Sequence, residues 1–379
     1  MKIAFFVHGY LPWDTYGVPR YVERVGGYLA KRGHRVFIFA VGRPNLQKVE
    51  KPTSNLTVYR TSYVDIPSKR LRPFWSLAYY TVGSLLEASR VVNKERIQIL
   101  HGHSIQWGGL QSILVSRLTG KPCIITIHGS GLDRYSKRQM PRYLRPLRRA
   151  KVIICQKTSA ARKLKSWGFS DKRLILLTGF VDTERFRPPE DRLPKGLSVV
   201  SFVGRLTAFK GPQILLDAVP HVLSKHPNTV FQFVGEGDLK HYLMCKAESM
   251  GLANQVKFLG LRNGVDTILK NSDVSVSLSN HENVSDFALL EAMATGVPVV
   301  ATDVGETRTL VKDEETGLLA KCDSRDVAAK ITKVLNDRNL AHNLSRNERQ
   351  LMVKEHSLEV FGRKYETIHW SVIPRKATS

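Results

Sequence analysis

In the stretch Phe202-Val-Gly-Arg-Leu-Thr-Ala-Phe-Lys-Gly211, Arg205 and Lys210 flank a turn, between an apolar run (Ser198 to Val203) and an apolar-periodic segment beginning near Pro212. The first run predicts a strand and the second a helix. A helix start exposes N–H groups that have no intrahelical partner, and it carries the positive end of the backbone dipole. Arg offers a planar fork matched to phosphate oxygens and Lys a point charge, so two such cations beside a helix start make a diphosphate the natural guest. A second stretch runs from His281 to Val300. There Glu291 sits in a short predicted helix, Leu-Leu-Glu-Ala-Met-Ala-Thr, closed by Gly296 and followed by a strand from Val297 to Ala301. An acidic residue among Leu, Ala and Met is either an exposed helix face or a buried functional carboxylate, and a carboxylate there suits ribose hydroxyls.

The elements that must position these groups recur along the whole chain. Apolar, β-branched runs alternate with helical periods, which predicts parallel sheets with crossover helices. Strands are expected at Ile3 to Val7, Val36 to Phe39, Ile97 to His101, Cys123 to Ile127 and Val152 to Cys155, then at Val199 to Val203, Val230 to Val234, Val256 to Leu259, Val274 to Leu278 and Val297 to Ala301. The Pro-rich segment 181–196 between the two series reads as a linker. The fold class expected is therefore α/β: two doubly wound, Rossmann-like domains facing a cleft, residues 1–180 and 197–355. In such sheets ligands sit at the C-terminal ends of the strands, where both motif stretches lie.

Other residues are weaker signals. His128, in Ile-Thr-Ile-His-Gly-Ser-Gly, ends a strand, where a histidine is more often merely half-buried; Gly129 and Gly131 permit close backbone approach. His103 is read as facing the cleft and His101 as core. Gly17 follows the first strand and allows a tight loop, and Gly235 and Gly237 form a glycine turn after the strand ending at Val234.

The net charge of +25 is uneven. Residues 1–190 hold 34 Lys and Arg against 11 Asp and Glu, and residues 191–379 hold 24 against 22. A strongly basic half beside a nearly neutral one points to an anionic partner for the first half. Its basic residues gather in Lys69, Arg70 and Arg72, before the aromatic run Phe74, Trp75, Tyr79 and Tyr80, and in a segment containing Arg138, Arg142, Arg145, Arg148 and Arg149. A charge run is usually a solvated face, but basic residues interleaved with aromatics also suit an anionic membrane surface or a lipid-diphosphate acceptor. Thermophile-like surface charge and nucleic acid are the less favoured readings. Cys123, Cys155, Cys245 and Cys322 have no metal-ligand or paired spacing and read as core thiols of a reducing, cytoplasmic compartment. No transmembrane segment or metal site is expected.

Taken in order, Met1-Lys-Ile-Ala-Phe-Phe, Lys31-Arg-Gly-His-Arg-Val36, Ile99-Leu-His-Gly-His103, Thr126-Ile-His-Gly129, Val181-Asp-Thr-Glu-Arg-Phe186, Phe202 to Gly211, Phe233-Val-Gly-Glu-Gly237 and Leu289 to Gly305 resemble the retaining nucleotide-sugar glycosyltransferases of family four, the group 1 enzymes of the GT-B fold. The resemblance implies transfer of a hexose from a nucleoside-diphosphate sugar to an acceptor hydroxyl, with no metal and no other cofactor. By the same resemblance Arg205 and Lys210 stabilise the leaving diphosphate, Glu291 grips the ribose, His128 faces the donor sugar, and Gly17, Gly235 and Gly237 approach the nucleotide. Ser285, Asp286 and Phe287 occupy a loop whose N–H groups approach the phosphates. The family has a further glutamate before Glu291, with seven residues between them, and that position is Asn283 here while Glu282 lies one residue earlier. Either Glu282 swings in or Asn283 replaces the carboxylate as donor and acceptor. The loop at Gly17 also departs from the family, which has glycine where this chain has Tyr16. The acceptor is expected to be a glycan or lipid-linked glycan at the inner membrane face. The final helix, within 356–379, is expected to cross back onto the first domain, with Phe361, Tyr365, Ile368 and Trp370 as its apolar positions. A polyanion-binding scaffold without catalysis and a sugar-nucleotide epimerase are the alternative readings.

Overall fold

The computed structural model describes residues 1–14, 17–43, 45–61, 72–129, 132, 140–190, 196–280 and 287–374, with the side chains of 72–82 and 140–143 outside that description. The chain forms two compact units, Met1–Leu177 with Phe361–Ser379, and Thr178–Val360.

The first unit contains β1 (Lys2–Phe6), α1 (Val18–Lys31), β2 (Arg35–Val41), β3 (Val49–Thr53), β4 (Leu56–Thr61), α2 (Arg72–Lys94), β5 (Ile99–His103), α3 (Gly109–Thr119), β6 (Cys123–Ile127), α4 (Met140–Leu147), β7 (Val152–Cys155), α5 (Thr158–Ser166) and β8 (Leu174–Leu176). Its strands are ordered β3-β4-β2-β1-β5-β6-β7-β8. All neighbours run parallel except the β3–β4 pair. Ile3 to Phe6 and Ile124 to Ile127 are buried without alternation, as expected of strands covered on both faces. Helix α1 starts at Val18 with Pro19 in its first turn, where its missing N–H costs nothing.

The second unit contains β9 (Ser198–Val203), α6 (Pro212–Leu223), β10 (Thr229–Val234), α7 (Lys240–Ser249), β11 (Val256–Gly260), α8 (Val265–Lys270), β12 (Val274–Ser277), α9 (Phe287–Thr295), β13 (Val299–Thr302), β14 (Leu318–Ala320), α10 (Ser324–Asn336) and α11 (Arg338–Leu351). Its sheet is ordered β11-β10-β9-β12-β13-β14 and is parallel throughout. Both units are thus doubly wound α/β sheets of the expected class. In each, the winding reverses beside the first strand of the series: β1 lies between β2 and β5, and β9 between β10 and β12. These are the topological switch points, where loops diverge and leave a crevice at the strand ends.

The segment read as a linker begins on packed residues. Val181 donates its N–H to the His356 carbonyl at 2.9 Å and accepts from Leu358 at 2.8 Å, and Val181 and Phe186 belong to the apolar core around α9. Arg349 Nη1 lies within 3.1 Å of the carbonyls of Thr183, Phe186 and Ala294. Proline content speaks for an irregular path, but the apolar residues of 181–186 find a core.

The last helix, α12 (Leu358–Val372), starts in the second unit and runs on into the residues of the first. Phe361, Tyr365, Ile368 and His369 are its buried face. Trp370, expected on that face, is 51% exposed. The i, i+4, i+7, i+8 spacing puts His369 in its place. The cysteines also divide: Cys123 and Cys155 are buried, but Cys245 and Cys322 are exposed, contrary to a reading of all four as core thiols.

Candidate functional site

At the switch point of the second sheet, β9 ends at Val203 and the chain turns through Gly204 to Gly211 before α6. This turn is held on both sides by backbone. Gly204 and Leu206 donate to the carbonyls of Val234 and Glu236, each at 2.9 Å, which fastens it to the Gly235–Gly237 turn after β10. Asn280, just beyond β12, donates its backbone N–H to Phe209 O and its side-chain amide to Ala208 O, both at 3.1 Å. The loops after β9 and β12 are therefore one bonded structure.

Two glycines make that approach possible. A Cβ on Gly211 would fall 1.9 Å from the Leu278 carbonyl oxygen, and one on Gly235 would fall 2.0 Å from that of Gly204. Both also have positive φ, +73° and +140°, which disfavours any residue with a side chain. Gly237 is likewise against backbone, with Leu206 O at 2.3 Å from its would-be Cβ. Gly235 and Gly237 thus serve the packing of one loop on another. Arg205 is exposed and Lys210 half-buried beside the Phe209 ring, 5.8 Å from its centroid. Lys210 lies two residues before Pro212, the first residue of α6, and Arg205 stands at the start of the same turn.

Glu291 lies in α9, where every residue from Leu289 to Thr295 is buried, and is itself 7% exposed. Of the two readings weighed from sequence, the exposed helix face is excluded. Phe287 starts the helix with its ring edge-on to Phe180, 5.8 Å between centroids. Glu282, Asn283, Ser285 and Asp286 lie outside the described residues, as do Lys69, Arg70 and Arg138 and the side chains of Arg72 and Arg142. Gly17 caps α1 with φ +56° and has open space around its Cβ position.

The first unit gathers a different set of residues at its strand ends. His101 and His103 from β5, His128 after β6 and His369 from α12 form a network in which His101, His103 and His369 are buried and His128 is half-buried. His369 Nδ1 donates to the Tyr365 carbonyl at 2.7 Å. Its Nε2 is then the acceptor for His101 Nδ1 at 3.0 Å, which leaves His101 Nε2 to accept from the Thr126 hydroxyl at 2.7 Å. In a second chain His128 Nδ1 donates to Gln156 Oε1 at 3.1 Å and its Nε2 accepts from His103 Nδ1 at 3.0 Å. Burial holds all four rings neutral: His128 and His369 are pushed down to about 4, and His101 and His103 well below the ordinary value, with the neighbouring histidines adding to the effect. Both ring nitrogens that the resemblance aims at a donor sugar are thus engaged inside the unit, and His103 is buried rather than facing outward. Sequence reading missed Gln156 and Asn280. Their signal was position: each is a polar amide within three residues of the end of an apolar strand.

Of the basic segment, Arg145, Arg148 and Arg149 are exposed, but they are not equivalent. Arg148 donates to the carbonyls of Trp167 and Gly168 and lies over the Phe169 ring at 5.1 Å. It braces the end of α5. Among the described residues no three His, Cys, Asp or Glu side chains are grouped as a metal site requires, and no helix is long and apolar enough to cross a membrane.

Two family models match side by side, Glycosyltransferase Family 4 over residues 15–185 and Glycosyl transferases group 1 over residues 184–351. A curated relative, the Escherichia coli UDP-Gal:alpha-D-GlcNAc-diphosphoundecaprenol alpha-1,3-galactosyltransferase, is 27% identical over 71% of this chain and 74% of its own. Among solved structures, a glycosyltransferase from Rickettsia africae superposes with a TM-score of 0.81 at 17% identity, covering 99% of both chains. The Anabaena protein HepE, solved with UDP, superposes at 0.78 and 16% identity over 98% of this chain and 100% of its own. With the doubly wound pair of sheets and the motif loops at a switch point, these matches settle the family: the chain belongs to the group 1, family 4 glycosyltransferases of the GT-B fold.

Proposed function

We propose that the second unit binds a nucleoside-diphosphate sugar at the β9/β12 switch point and that the enzyme transfers the hexose, with retention and without a metal, to an anionic or lipid-linked acceptor held by the first unit. The observation that carries this is the placement of Arg205 and Lys210 in the turn that leads from β9 into the N-terminus of α6, in a loop bonded to the loop after β12. As the glycosidic bond to the donor breaks, negative charge grows on the leaving diphosphate and positive charge on the sugar. Fixed cations and N–H groups at the leaving oxygens lower that barrier without reorganising, an effect worth roughly 10²–10³-fold per donor group. Glu291, buried in α9, the helix that follows β12, supplies carboxylate oxygens to the ribose hydroxyls. In this reading His128 is a neutral ring that orders the strand ends, its polar atoms turned inward.

Support for the acceptor is of two kinds. The name of the E. coli relative gives a sugar on a diphosphate-polyprenol as its acceptor, and residues 1–190 carry the net positive charge, which attracts both a diphosphate and an anionic bilayer. Calorimetric titration with UDP, GDP and ADP in EDTA tests the donor site. Selective binding of one of them, weakened at least tenfold by Glu291→Ala, is expected; binding of none would overturn the proposal. Proton NMR of the product decides retention, and cosedimentation with phosphatidylglycerol against phosphatidylcholine vesicles decides the membrane surface.

A further inference from the structure

The switch point of the first sheet holds a second cluster that the reading above leaves unused. A wide turn, Ser104–Gly108, follows β5 and crosses the end of β1. The crossing is tight: a Cβ on Gly108 would fall 2.1 Å from the Phe6 carbonyl oxygen. It sets Trp107 against His8, the residue after Val7, with the rings stacked at 5.0 Å and 22° apart. His8 also meets the edge of Trp13 at 6.4 Å, and the Arg43 guanidinium lies 4.5 Å above the Trp13 ring. Asp14 closes the group, its carboxylate resting where a side chain on Gly9 would be.

This composition suits one class of ligand. Trp107 is 37% exposed although it ends a packed turn. An indole is among the largest apolar surfaces a protein can bury, and leaving part of one open at a strand-end crevice favours a guest that covers it. A flat apolar platform ringed by a carboxylate, a guanidinium and an imidazole matches a pyranose ring, whose C–H face is apolar and whose rim is hydroxyls. Burial and Arg43 hold His8 below its ordinary value against the pull of Asp14, so near neutral pH its ring is uncharged and able to stack. We infer that His8, Trp13, Asp14, Arg43 and Trp107 form a carbohydrate subsite that takes the acceptor sugar, stacked on Trp107, with Arg43 directed to an anionic substituent. The inference rests on the first unit being the acceptor side of the enzyme.

The test is an NMR titration of the full chain, ¹⁵N-labelled at the indoles, with N-acetyl-α-D-glucosamine 1-phosphate, beside a parallel titration with UDP. The expected result is saturable movement of the Trp13 and Trp107 indole signals by the sugar phosphate, weakened at least tenfold in Trp107→Ala and about fivefold in Arg43→Ala, with UDP affinity unchanged in both. Movement confined to Trp75, Trp167 or Trp370, or equal affinity in both variants, would overturn it. So would displacement of the probe from these indoles by uridine, which would make the platform a base shelf. Failure of UDP to bind the wild-type chain defeats the donor reading separately, while the indole signals still judge the subsite.

Discussion

At the switch point of the first sheet the strand ends carry mainly aromatic and imidazole rings, with Arg43 beside them, whereas at that of the second the turn carries Arg205 and Lys210 and leads into a helix N-terminus. The charge census points the other way: the first half is strongly basic and the second nearly neutral. Net charge and local placement are therefore separate signals: the donor proposal rests on where a few cations stand relative to backbone N–H groups and to the reversal of the winding, and the acceptor proposal on the charge of the first half. Some of the first unit's charge is structural, since Arg148 braces carbonyls at the end of α5.

The contrast can be broken most sharply at Lys210. Lys210→Ala is expected to lower kcat/KM by roughly 10²–10³-fold with little change in melting temperature, whereas a loss of stability of comparable size would mean that the lysine is structural. Gly211→Ala should act through the fold. Its methyl group would meet the Leu278 carbonyl at positive φ, so roughly 3 kcal/mol or more of stability and the binding of UDP should be lost together, read by denaturant unfolding and calorimetry.

Acid separates the two units. His128 and His369 have folded values near 4, below the unfolded value of 6.5. Their contribution is whole above about pH 6.5 and is lost as pH falls toward 4, at about 1.4 kcal/mol per pH unit for each ring. Hydrogen exchange at pH 7 and pH 5 should therefore show the strands β5 and β6 and helix α12 losing protection before the second sheet does. Uniform loss across both units would contradict the network. Glu348 in the second unit should show the opposite sign. It is fully buried, its carboxyl is held well above the ordinary value by burial despite the Val299 N–H it accepts, and its cost rises as pH increases beyond the unfolded value. Glu348→Gln keeps the accepted bond and should raise stability at pH 7 by about 1–3 kcal/mol, with the gain fading near pH 4. The smallest effect concerns the basic face: Arg149→Ala should weaken binding to phosphatidylglycerol vesicles by about 1 kcal/mol and leave the melting temperature unchanged. Arg148→Ala should lower it.

The alternation of apolar runs and helical periods was enough to announce two doubly wound sheets, because a strand buried on both faces has to be written as an unbroken apolar run. The placement of Arg205 and Lys210 between a strand and a helix was equally legible, since it is local in the chain. So was Glu291 in its apolar helix, although the choice between exposed face and buried carboxylate needed the fold, as burial depends on what packs against a helix. The rest involved residues distant in sequence. Periodicity could not say that His369 would meet His101 across 268 positions, that Asn280 would tie down the turn before α6, or that Gly108 would lay Trp107 beside His8. A side chain's chemistry is carried by its type, but whether its polar atoms face a ligand or a neighbour depends on which strand ends are adjacent, and that is decided only when the sheet order is set.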